Sequence, residues 1–165
     1  MEMIKIFRLN FSNKRIQGKY VPERAVYYAR KYALKRNANY EDFSKRGGDC
    51  TNFISQCLDY GGLPYSYTWK PYTHPWLRVN ELYYYLLNSG KGIDITKNKI
   101  YSEGDIVQFY SPQKGFFSHS IIITKVLDNG EYLYCCHSDD KKDFPLNYVY
   151  PSFYSKIRVI KINTD

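Results

Sequence analysis

Gly47-Gly48-Asp49-Cys50-Thr51-Asn52-Phe53-Ile54-Ser55-Gln56-Cys57-Leu58 is the stretch around which the chain can be ordered. Cys50, Phe53, Ile54, Cys57 and Leu58 recur at the three- and four-residue spacing of one helix face, and Gly61-Gly62 supplies a stop. The glycine pair therefore delivers Cys50 to a helix start. Unpaired amides and the positive end of the helix dipole favour negative charge there, so a thiol in that place is expected to ionise more readily than a free one. Cys50 is the candidate nucleophile, and the competing reading makes it a small buried hydrophobe like Cys57.

A thiol nucleophile needs a base. Ser118-His119-Ser120 opens Ile121-Ile122-Ile123-Thr124-Lys125-Val126-Leu127, a β-branched run that reads as a buried strand with a histidine at its start. An imidazole within reach of the sulfur takes its proton and later delivers one to the leaving amine. Asp128-Asn129-Gly130 then reads as a hairpin turn, which returns the chain so that Cys136 and His137 end near His119. His137 is the expected third member, orienting His119, and Asp139, two residues on, is the alternative. His74 is expected to stay outside the chemistry.

Away from this site, Pro22 to Asn37 carries Ala25, Tyr28, Ala29, Tyr32 and Ala33 on one stripe behind a first-turn proline, the pattern of an amphipathic helix. Val79 to Ser89 repeats that spacing with Gly90 as its stop. Between them, residues 63–78 hold three prolines with Trp69 and Trp76, and read as a long loop. The two tryptophans are candidate substrate platforms, and packing onto the core competes with that role. Strands are expected at 105–110, 120–127, 131–137 and 156–162. Helices first and strands second, with no crossover units or repeats, give an α+β domain in which N-terminal helices pack on a C-terminal antiparallel sheet. Residues 1–20, with Ile4, Ile6 and Leu9 alternating, are expected to be a lead-in or edge strand, and 21–165 a single domain.

The chain has 165 residues and a net charge of +8. Its length is enough for an ordinary core without bridges or metals, so the four cysteines need not pair. The seven-residue step from Cys50 to Cys57 and the adjacent Cys135-Cys136 do not match the short ligand pairs of zinc sites, so no metal and no cofactor is expected. The positive charge suits an anionic polymer, but no long block of like charge marks a nucleic-acid binder. No apolar run approaches the roughly 18 residues of a membrane span. Met1 to Leu9 lacks an apolar stretch with a cleavage site, so a cytoplasmic protein, or one released without a standard signal, is expected.

Read as text, the cysteine motif with Gly61-Gly62 closely resembles the signature of the bacterial putative amidase domain family, a branch of the NlpC-like and CHAP group of papain-like cysteine peptidases and amidases. The resemblance extends through Ala25 to Ala33, Gly104-Asp105-Ile106-Val107-Gln108-Phe109, Ser118-His119-Ser120 and Cys136-His137-Ser138. It implies a papain-like α+β fold with Cys50 as nucleophile, His119 as general base and His137 as third polar member. The implied reaction is hydrolysis, or less often transfer, of an amide through a thioester, commonly on cell-wall peptides. The oxyanion would be held by the Cys50 amide and one further donor, for which Tyr40 and Gln56 are candidates. Asn52 stands where NlpC-like enzymes usually carry glycine. A monomer acting on peptide or peptidoglycan is the expectation; a non-catalytic glycan- or peptide-binding module on the same scaffold, or an acyltransferase or deamidase, is the competing one.

Overall fold

Pro22, whose missing N–H costs nothing in a first turn, opens α1 (Pro22–Tyr32). Ala25, Ala29 and, just past the helix, Ala33 are fully buried, so this face approaches its neighbour closely. That neighbour is α2 (Cys50–Gly61). The computed structural model describes residues 19–164. The expected lead-in or edge strand at Ile4, Ile6 and Leu9 lies outside the described residues.

The central helix is α2, buried on nearly every side. Gly47 (φ +97°) and Gly48 (φ +108°) turn the chain into it through backbone conformations that side chains resist. Gly62, left-handed at φ +105°, closes it by donating to the carbonyls of Asp59 and Leu58. A four-residue turn, α3 (His74–Leu77), interrupts the expected loop, and α4 (Val79–Asn88) follows as its spacing predicts.

Six strands form one sheet: β1 (Gly92–Asp94), β2 (Ile106–Ser111), β3 (Phe116–Val126), β4 (Tyr132–Cys136), β5 (Lys141–Pro145) and β6 (Ile157–Ile162). They lie in the order β1-β6-β2-β3-β4-β5 and every pair is antiparallel. The α+β arrangement of helices on an antiparallel sheet holds, with the short edge strands β1 and β5 as additions. Because strand side chains alternate between faces, the sheet has two. Ile106, Ile122, Cys135 and Ile160 face the helices and pack with Phe53, Ile54 and Leu58. Val107, Phe109, Ile121, Ile123, Tyr134 and Cys136 face a second core closed by Leu146, Val149 and Tyr154 from the connections after β5.

Candidate active site

Cys50 is the first residue of α2, with Asp49 as its N-cap. It opens onto a cleft of about 330 Å³ that His119, Ser138 and Asp139 also line. A second cleft, of about 380 Å³, leaves Cys50 on the other side toward Leu77, Arg78, Phe116 and Phe117. The sulfur thus stands where two clefts meet. Burial pushes the thiol up from its ordinary value; the Ser120 and Thr51 backbone amides and the Thr51 hydroxyl draw it back, and the Asp49 carboxylate adds to the rise. Against the expectation of a lowered thiol, the direction is upward: Cys50 is only 8 % exposed, and burial is the largest influence on it.

His119 lies within β3 on the face of Ile121 and Ile123, its ring stacked on Phe109 at 5.8 Å between centroids. Burial pushes its imidazole down to about 4; Asp139 acts upward and Lys114 downward. Burial thus works against the charged form of both groups, the Cys50 thiolate and the His119 imidazolium. Among the described residues no hydrogen bond joins Cys50 to His119. They share a cleft, and such contacts often tighten only when substrate is bound.

His137 takes a different position from the one its spacing predicts. Ile122 pairs with Cys135, which sets Cys135 toward the helices and Cys136 toward the second core. The next residue returns to the helix side, so His137 lies on the sheet face opposite His119. One step of strand parity separates the two. Its Nδ1 is 2.6 Å from Asp49 Oδ2, its Nε2 is 2.7 Å from the Tyr32 carbonyl oxygen, and its ring stacks on Phe53 at 4.0 Å. Both ring nitrogens are thus engaged, by Asp49 and by the Tyr32 carbonyl, and neither is left for His119.

What this buried pair holds is the start of α2. Asp49 Oδ1 accepts from the Phe43 amide and from Asn52 Nδ2, and its amide donates to Ser138 Oγ at 2.9 Å. Burial would raise the Asp49 carboxyl, but the bonds from His137, Asn52 and Phe43 hold it below its ordinary value. Asn52 also donates to the Glu41 carbonyl and accepts from Trp76 Nε1. It is a structural hub.

Asp139 does reach the His119 side. Ser138 (φ +60°) and Asp139 (φ +63°) are both left-handed, and this turn breaks the alternation that would have kept Asp139 on the face of His137. Its carboxylate is ion-paired with Lys141 at 3.3 Å and largely exposed.

Trp69 and Trp76 are fully buried, 5.0 Å apart between centroids, with their indole N–H groups on Ser55 Oγ and Asn52 Oδ1. They are core, not substrate platforms: Trp76 is carried inward by the four-residue α3, and Trp69, from the segment before it, packs against it. The Tyr40 hydroxyl donates to Asp59 Oδ2 and Gln56 Oε1 accepts from Tyr28, and neither oxyanion candidate lines a cleft at Cys50. The aromatic walls of the Cys50–His119 cleft are Phe109, Tyr134, Phe153 and Tyr154, with Lys114 at its rim. Nothing in the spacing of Phe153 and Tyr154 marked them. Among the described residues no three histidine, cysteine or acidic side chains gather as metal ligands, all four cysteines are free thiols, and no helix is long and apolar enough to cross a membrane.

The model of the family described as "Putative amidase domain" matches residues 19–160. Two proteins of Bacillus subtilis (strain 168) are similar: "Uncharacterized protein YjcM", 36 % identical over 136 residues, and "Uncharacterized protein YhbB", 35 % identical over 112. These stretches cover 76 % and 60 % of this chain but only 32 % and 35 % of the relatives, so the chain spans about a third of the length of the curated proteins it matches. No solved structure matches. With the family model spanning nearly all of the described fold, from the start of α1 into β6, the chain belongs to the putative amidase domain family.

Proposed function

We propose that this protein hydrolyses an amide bond by thiol catalysis on a papain-like scaffold. The observation that carries the reading is one cleft shared by a cysteine at a helix start, a strand histidine and a carboxylate: Cys50, His119 and Asp139. The family's description supports amide chemistry in general.

In this reading Cys50 Sγ attacks the amide carbon while its proton passes to the neutral His119 ring. The carbonyl oxygen becomes an oxyanion beside the Cys50 N–H at the start of α2. The tetrahedral intermediate collapses as the C–N bond breaks and His119 protonates the departing amine, leaving a thioester on Cys50. Water, deprotonated by His119, then attacks the thioester, and the carboxylic acid and the thiol are released. Asp139 is the nearest carboxylate to favour the imidazolium that forms twice in this cycle.

The two clefts give the substrate a direction. His119 lines only one of them, and the leaving amine must meet His119. The amine portion therefore lies among Phe109, Tyr134 and Tyr154, and the acyl portion lies toward Leu77, Phe116 and Phe117. Bacterial wall peptides are the first substrate to test, on the strength of the sequence resemblance and a net charge of +8 that suits an anionic wall polymer. The experiment is release of new amines from purified peptidoglycan by the intact protein and by Cys50→Ala, with the cleaved bond identified by mass spectrometry. Cysteine-dependent release is expected. Equal release by both proteins would overturn the thiol mechanism.

A further inference from the structure

Three buried polar side chains form a row across the middle of the sheet. Gln108 on β2 pairs in register with Ser120 on β3 and with Arg158 on β6, so all three project from the same face at the same level. That face meets α2: Ser120 Oγ is 3.3 Å from Thr51 Oγ1, and Thr51 Oγ1 is 3.7 Å from Cys50 Sγ. Gln108 and Ser120 are fully buried, and Thr51 and Arg158 nearly so.

The hydrogen-bond direction along this row is fixed by its far end. Arg158 has donors only, and its Nε donates to Gln108 Oε1 at 2.7 Å. The guanidinium cannot turn away, because it lies between the rings of Tyr83 (3.7 Å) and Phe117 (4.1 Å) and donates to Asn80 Oδ1 at 2.8 Å. The Gln108 carbonyl oxygen is therefore pinned toward Arg158, and its NH₂ faces the other way. One of those hydrogens goes to the Val79 carbonyl at 2.9 Å and the other to Ser120 Oγ at 3.2 Å. Ser120 accepts from Gln108, which leaves its own hydrogen for Thr51. Thr51 in turn has a hydrogen to direct at the sulfur.

We propose that Arg158 and Gln108 orient a Ser120–Thr51 hydroxyl relay whose last hydrogen bond goes to the Cys50 sulfur and stabilises it as charge develops. These four are positioning residues, acting through one another, and the proposal rests on the reading of Cys50 as nucleophile. A buried thiolate has little water to solvate it, and an aligned chain of donors in a low-dielectric interior takes the place of that water. The row also gives a role to a buried arginine for which no carboxylate lies within ion-pairing distance among the described residues.

The test is the pH profile of Cys50 alkylation by iodoacetamide in the full chain, followed at each cysteine by mass spectrometry. Thr51→Val keeps the shape and removes the hydroxyl, and it is expected to raise the midpoint of the Cys50 profile by about 0.5–1 pH unit. Thr51→Ser restores it. Ser120→Ala, one step further back, is expected to raise it by a smaller amount and serves as the reading if Thr51→Val does not fold. A Cys50 midpoint that stays within about 0.2 pH unit of the unsubstituted protein in folded Thr51→Val and Ser120→Ala alike overturns the relay. The Cys50→Ala amine-release assay decides the nucleophile separately, so failure of the relay and failure of the thiol mechanism are told apart.

Discussion

His137 Nδ1 lies 2.6 Å from Asp49 Oδ2, and both side chains are 1 % exposed, one residue behind Cys50. A buried pair that ties the residue after β4 to the start of α2 fixes where Cys50, the proposed nucleophile, sits. Losing one partner of a buried pair costs about 3–5 kcal/mol when the other charge is stranded; here Arg36 Nε stays 3.6 Å from Asp49 Oδ2, so the cost is smaller, about 2–3 kcal/mol. His137→Gln is therefore expected to lose about that much stability in urea unfolding, whereas His119→Ala is expected to change stability little and abolish amine release. A third triad member would reverse this contrast, with His137→Gln folding normally and losing activity.

The same pair makes the fold acid-sensitive in a definite direction. Asp49 is held below its ordinary carboxyl value in the folded state, so it binds its proton less readily there than in the unfolded chain. Its contribution is complete above the ordinary carboxyl range and is lost as the pH falls through the lowered value. Stability measured between pH 6 and pH 3 is expected to fall on the acid side, and Asp49→Asn, less stable throughout, is expected to show a shallower fall.

Activity is expected to hold a broad plateau across neutral pH. His119 must be neutral to take the thiol proton, and it becomes protonated only as the pH falls toward about 4. On the alkaline side Cys50, raised by burial, keeps its proton past the ordinary thiol range. The measurement is kcat/KM against pH for amine release. An acid limb near the ordinary imidazole value of about 6.5 would show that water reaches His119 freely.

Asp139 and Lys114 pull His119 in opposite directions, which gives a pair of predictions with opposite signs. Asp139→Asn removes the charge that raises the imidazole and is expected to move its NMR titration midpoint down; Lys114→Met is expected to move it up. Both shifts are expected below about 1 pH unit and weaker in high salt, because exposed charges are screened. The side chain of Asp139 is 86 % exposed. A large shift on His137→Gln with none on Asp139→Asn would return the orienting role to His137.

Much of this site was legible because its signals are local. A glycine pair, a cysteine at the head of a 3.6-residue period and a histidine before a β-branched run place Cys50 and His119 on α2 and β3 without tertiary information. The expected contact between His137 and His119 is absent because strand parity is unforgiving: the hairpin brings His137 to the His119 end of the sheet and one residue turns it to the opposite face. Asp139 reaches the face of His119 only through two left-handed residues, which the sequence Ser138-Asp139 does not announce. Nor does Gln108, in a strand otherwise filled with Ile106, Val107 and Phe109, reveal that Arg158 fixes its amide. Those bonds span 50 residues of chain and appear only when β6 inserts between β1 and β2.

The tryptophans give the last prediction, since composition cannot tell an aromatic platform from an aromatic core. Trp76 is fully buried, and its indole donates at 2.8 Å to Asn52, the hub that also holds Asp49. Trp76→Ala leaves a large cavity and an unpartnered Asn52 carbonyl, and is expected to cost about 3–5 kcal/mol in urea unfolding. Trp76→Phe restores most of the volume but not the donor, and its smaller cost isolates the hydrogen bond, about 1–3 kcal/mol for a buried acceptor left unmade. Because Asn52 ties this indole to the helix start, Trp76→Phe is also expected to lower the rate of Cys50 alkylation in the folded protein. A surface platform would show neither effect, only weaker binding of substrate.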